Sequence, residues 1–296
     1  MRTLHVEGTI RDPVEQYAAT RAHFDRERTT MTRFIACAGV FLFLAAVAAM
    51  PSRSLAQTTI SNIDDKPASS WQWCNSCAGG GKTYAVGGVA NVTQSGYTVD
   101  GSSVRFDLID NPNNRCSANC YGNVFFWDVL TKNVSETSIT DDFYAMMDSA
   151  GNSNSQAVEF TVEHDLCKAN CGTSSEEDFL YIYSLQCDFK GSGKWRLWDG
   201  AANGGTGAWE PTSHACVGFQ SNSFNHFVFH FARGNQEVTY IDMWINGVQY
   251  SFNNVTYGIE YQTPNRGSQF LASVQLDGDY SEGPYSFWID KWNITY

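Results

Sequence analysis

From Trp71 onward the chain alternates apolar and polar positions in short runs, broken by clusters of Gly, Asn, Asp and Ser. Side chains on a strand point to opposite faces in turn, so such alternation marks strands with one buried face. The pattern predicts strands over 103–109, 123–130, 140–147, 156–163, 179–187, 193–199, 207–211, 225–233, 237–245, 247–252, 268–277 and 285–295. Asn246-Gly247 separates two of these runs, and Asn-Gly suits the two-residue hairpin turn in which both central residues take positive φ. No window of twelve residues carries a helical stripe; 139–149 offers at most one helical turn. Ten or more short strands at this spacing predict an all-β, two-sheet antiparallel jelly-roll β-sandwich over 71–296.

The chain before Trp71 reads differently. Residues 34–50 (FIACAGVFLFLAAVAAM) carry no charge, Arg33 precedes them, and Ser54-Leu55-Ala56 follows as a small-x-small cleavage site. That is the layout of a secretory signal peptide, with Gln57 as the expected mature start. The alternative is a membrane anchor, for which the run is short. Residues 1–30 are polar and irregular, so Met31 is the expected start and 1–56 are expected to be absent from the mature protein. Residues 57–70 (QTTISNIDDKPASS) read as a flexible linker. No further stretch approaches membrane length, so the mature chain is expected to have no membrane span and to be extracellular or periplasmic.

Charge and cysteine content narrow the partners. The full chain holds 19 Lys and Arg against 31 Asp and Glu, and 1–56 hold 7 and 5 of them. The mature net charge of about −14 repels phosphate backbones, so nucleic acid is excluded and anionic polysaccharides are disfavoured. Neutral glycans remain. Of the nine cysteines, Cys37 leaves with the signal; Cys74, Cys77, Cys116, Cys120, Cys167, Cys171, Cys187 and Cys216 stay. An even number in an exported chain predicts disulfides rather than zinc. Cys116–Cys120 and Cys167–Cys171 share a C-x-A-N-C pattern, open either to local closure or to crossed bridges. With the short-spaced cysteines satisfied locally, Cys187 and Cys216 are left for each other.

The segment Ala157-Val-Glu159-Phe-Thr161-Val-Glu163 carries the clearest candidate chemistry. On a strand, Glu159, Thr161 and Glu163 share one face while Val158, Phe160 and Val162 share the other. Two carboxyls on one sheet face can protonate a leaving oxygen and attack an anomeric carbon, or simply be solvated surface acids. This E-x-T-x-E strand resembles the E-x-D-x-E strand of laminarinase-type family-16 glycoside hydrolases, in the concanavalin A-like lectin/glucanase superfamily. The resemblance implies Glu159 as nucleophile and Glu163 as acid/base, with Thr161 where the family has an aspartate. A looser resemblance covers nearly all of 71–296. W-Q-W-C at 71–74, A-V-E-F at 157–160, W-x-x-W-D at 195–199, F-N-H-F-V-F at 224–229 and P-Y-S-F-W-I-D at 284–290 are similar to a group of secreted bacterial jelly-roll proteins, which implies the fold more than an activity.

Sugar rings stack their C–H faces on aromatic rings, and amides bond their hydroxyls. All nine tryptophans lie in the mature chain. Trp195 and Trp198 sit at odd spacing and so face opposite ways. Trp198, beside the Gly-rich loop 200–207, and Trp209, beyond it, are the candidate stacking residues, with Thr161 and Gln275 as polar contacts. No cofactor is required. Calcium is the one candidate ion: His164, Asp165, Glu176, Glu177 and Asp178 offer one set of loop ligands, and Asp277 with Asp279, and Asp290, are alternative candidates. There is no G-x-S-x-G elbow, phosphate loop or dinucleotide fingerprint. The expected function is therefore recognition of an extracellular, neutral polysaccharide. The alternatives are a retaining glycoside hydrolase using Glu159 and Glu163, and a structural surface protein without a sugar site.

Overall fold

A computed structural model describes residues 57–75, 85–110, 122–132, 134–171, 173, 177–219, 222–262, 268–278 and 283–296. The strands are β1 (Thr59–Ile60), β2 (Gln72–Cys74), β3 (Ala85–Val92), β4 (Ser103–Asp110), β5 (Asn123–Thr131), β6 (Ser138–Met147), β7 (Ser155–Ala169) and β8 (Glu177–Asp188). They continue as β9 (Lys194–Asp199), β10 (Ala208–Ala215), β11 (Asn225–Arg233), β12 (Glu237–Ile245), β13 (Val248–Gly258), β14 (Glu260–Gln262), β15 (Gln269–Gly278) and β16 (Tyr285–Thr295).

These strands form two antiparallel sheets. The first runs β13-β12-β11-β6-β16-β4-β3, with β1 added to β16; the second runs β10-β9-β8-β7-β15-β5-β2, with β14 added to β8. The inner faces meet in an aromatic core where Phe143, Phe160, Trp195, Phe227 and Phe229 touch one another across the sheets. Val158, Phe160 and Val162 are buried there, as alternation along β7 requires. Asn246 and Gly247 take φ of 51° and 80° between the paired Ile245 and Val248, the hairpin turn their sequence predicts. The fold is a two-sheet jelly-roll sandwich.

One expectation needs correction. Residues 57–70 are not a free linker. Thr59 and Ile60 pair with Thr295 and Ile294, Ile63 is fully buried, and the Asp64 carboxylate accepts the Trp292 backbone N–H at 2.8 Å. One isoleucine and one aspartate in a polar segment suffice to anchor it. Residues 138–147 form strand, as the alternation over 140–147 predicts, and no helical turn. Disulfides join Cys187 to Cys216 and Cys167 to Cys171, so the second C-x-A-N-C loop closes on itself. Cys74 is also disulfide-bonded; Cys77, Cys116 and Cys120 lie outside the described residues.

Candidate functional site

β7 runs through the middle of the second sheet, between β8 and β15. Its outward residues therefore gain neighbours on both sides. Glu159 stands opposite Gln186 on β8 and Gln275 on β15, while Thr161 stands opposite Ser184 and Ser273. Glu163 stands opposite Ile182 and Leu271, at a more apolar part of the face, and is buried. Beyond β8, Gln186 faces Arg196 on β9, and Trp198 pairs with Trp209 on β10. Beyond β15, Gln275 faces Phe125 and Ser273 faces Trp127 on β5.

The result is a polar floor between two aromatic walls. On one side Trp198 and Trp209 meet edge-to-face at 5.1 Å, with the Arg196 guanidinium 5.8 Å from the Trp209 ring. On the other, Phe125 and Trp127 stack at 5.5 Å. The position of Trp198 depends on Gly207, which has φ of 78°; a Cβ there would lie 1.9 Å from the indole. Trp195, three residues before Trp198, is fully buried in the core, so odd spacing does separate the two.

The floor is tightly bonded. The Gln186 Nε2 lies 3.4 Å from Glu159 Oε2 and 3.4 Å from Asp277 Oδ2, so one amide serves two carboxyls. Thr161 donates to Glu159 Oε1 at 3.4 Å, and Gln275 Nε2 donates to Asp277 Oδ1 at 2.8 Å. Arg196 bonds the Gln186 amide oxygen and lies 3.5 Å from Asp188 Oδ2. Burial, reinforced by the charge of Asp277, pushes Glu159 up to about 8, against the opposing pull of Thr161, Gln186 and Arg196. Burial likewise pushes Asp277 up to about 7.

The proposed site residues thus divide. Glu159, Thr161, Gln275, Trp198 and Trp209 lie on one sheet face. Asp277, expected as a calcium ligand, belongs to this floor. Asp290 is on β16 of the other sheet, fully buried, with its Oδ2 accepting the Val99 backbone N–H. Of the calcium candidates, Asp277 and Asp290 are on different sheets, and Asp279 lies outside the described residues. No group of three or more His, Cys, Asp or Glu able to hold a metal occurs among the described residues. His164 faces the core instead, its Nδ1 2.7 Å from Glu136 Oε1. Sequence reasoning missed Gln186, Arg196, Phe125 and Trp127. Their alternation was visible, but their neighbours depend on strand order.

No protein-family model matches the chain, and no curated protein matches it. Solved structures do. The potassium-bound carbohydrate recognition domain of Emp46p aligns at 12% identity over 70% of this chain and 87% of that one, with TM-score 0.37. The alginate lyase vAL-1 from Chlorella virus aligns at 9% over 76% and 93%, with TM-score 0.40. A lectin from Bauhinia forficata in complex with GalNAc aligns at 8% over 81% and 98%, with TM-score 0.37.

Proposed function

We propose that this protein is exported and binds a neutral polysaccharide on the outer face of its second sheet. The observation that carries the reading is the paired aromatic walls on either side of an amide- and carboxyl-rich floor. Rings stack on sugar faces while Gln186, Gln275, Thr161 and Glu159 bond hydroxyls, and that division of labour suits an uncharged glycan. The acidic net charge argues in the same direction.

Hydrolysis is less well supported. The family-16-like assignment makes Glu159 a nucleophile, which must be ionised to attack. Burial and the Asp277 charge push this carboxyl up to about 8, which favours its protonated form at neutral pH and works against attack. Thr161 supplies only a hydroxyl where an ionised partner would be needed. A glycan array, probed with wild type and Trp198→Ala and paired with reducing-sugar release on neutral β-glucans, tests the reading. Wild type should bind and release no sugar, and Trp198→Ala should bind about tenfold more weakly, as expected for loss of a stacked ring. A protein that binds nothing on the array, or that releases sugar, refutes it.

A further inference from the structure

The least ordinary feature of the face is its proton balance. Glu159 and Asp277 come from different strands, yet both reach the same Gln186 Nε2. Their two oxygens are therefore separated by less than twice 3.4 Å. Ionised together they would repel at close range, and among the described residues Arg196 offsets that repulsion only in part. The Arg196 guanidinium is also engaged by the Gln186 oxygen and by Asp188. Lys194 pairs in register with Asp188 at the start of β9. From β5, Asn123 and Phe125 face the pair without charge. The Tyr285 hydroxyl donates to the Asp277 backbone carbonyl at 3.1 Å. On β7 and β15 themselves, Thr161 and Gln275 offer only neutral donors. These donors favour the ionised form, but enclosure and the closeness of the two carboxyls outweigh them, so the pair retains protons.

We propose that Glu159 and Asp277 stay protonated and meet the glycan as hydrogen-bond donors, gripping its ring, linkage or hydroxyl oxygens and releasing it when the pair ionises. This rests on the glycan-binding reading above and adds to it the polarity of recognition and a dependence on pH. Ionised acids accept hydrogen bonds from sugar hydroxyls; this pair gives them. The raised values for both groups agree with the geometry.

The direction follows from the protons. Affinity is present while the pair is protonated and is lost as pH rises through its ionisation, from about 7 upward. Two measurements test this. In the free protein, carboxyl ¹³C resonances should show two groups titrating well above the ordinary acids. Glu159→Gln and Asp277→Asn should each remove one of them and move the survivor down. Calorimetric titration with soluble neutral glucans, galactans and mannans should show wild-type affinity falling at least about tenfold between pH 6 and pH 9. Either amide variant should flatten that fall to less than about threefold, because a carboxamide donates at every pH. Both carboxyls titrating with the ordinary acids would overturn the proposal whether or not a glycan is found. Tight binding unchanged between pH 6 and pH 9 would overturn it while leaving the glycan-binding reading intact. Absence of binding at any pH would instead reject that reading.

Discussion

Replacing Asp141 with asparagine should change how the protein's stability varies with pH. Asp141 lies on β6 and points inward, 1% exposed, and its Oδ1 accepts the Trp292 indole N–H at 2.6 Å. Burial pushes it from 3.8 to about 7, with the Trp292 bond opposing and Asp142 adding to the rise. The folded state then keeps a proton that the unfolded chain has already lost. The stability so gained is fully present below the unfolded pKa and disappears as pH rises towards the folded one. Within that window each such group costs about 1.4 kcal/mol per pH unit, on the order of 4 kcal/mol in all. Asparagine keeps the acceptor for Trp292 and cannot ionise. It also buries extra N–H donors, a cost of about 1–3 kcal/mol at every pH. Asp141→Asn should therefore be less stable than wild type near pH 5, and the deficit should shrink or reverse by pH 8. Urea unfolding with disulfides intact, repeated from pH 5 to pH 8, measures both curves. Parallel curves would refute the reasoning, because the argument concerns the slope and not the offset.

Other sites give independent tests. Glu136 Oε1 takes His164 Nδ1 at 2.7 Å and the Tyr183 hydroxyl at 3.1 Å, with Arg233 Nη1 at 3.6 Å, so it links β7 and β8 of one sheet to β11 of the other. Glu136→Ala should destabilise by about 3–5 kcal/mol, since it strands buried polar partners; a urea midpoint that barely moves would contradict this. Gly207→Ala puts a Cβ into the Trp198 ring and forces a positive φ on alanine. It should weaken glycan binding by calorimetry about as much as Trp198→Ala, and unchanged affinity would separate Trp198 from the site.

Much of the sandwich was legible because burial on one face writes itself into alternate positions. Val158, Phe160 and Val162 against Glu159, Thr161 and Glu163 is such a case, and so is the opposition of Trp195 and Trp198. β3 was not legible. Its Ala-Val-Gly-Gly-Val core lacks bulk, because Gly87 lies against Trp73, where a Cβ would come within 2.7 Å of the indole. β14 is three residues long, and β1 two, too short to show a period.

The site was legible only in part, for a reason that lies in sheet geometry. Spacing along the sequence shows which side chains share a face, so it draws attention to Glu159 and Glu163. Four residues along a strand amount to roughly 13 Å, whereas directly opposed Cβ atoms on neighbouring strands lie only about 5 Å apart. A residue's working partners are thus found mostly across strands. For Glu159 they are Gln186 and, through it, Asp277 and Arg196, from segments far apart in the chain. Strand order decides that assembly, and nothing in the E-F-T-V-E spacing encodes it. The same order separates Asp277 from Asp290, close in sequence but on opposite sheets. An acid on a central strand is therefore better judged by the residues its register brings beside it than by the motif it belongs to.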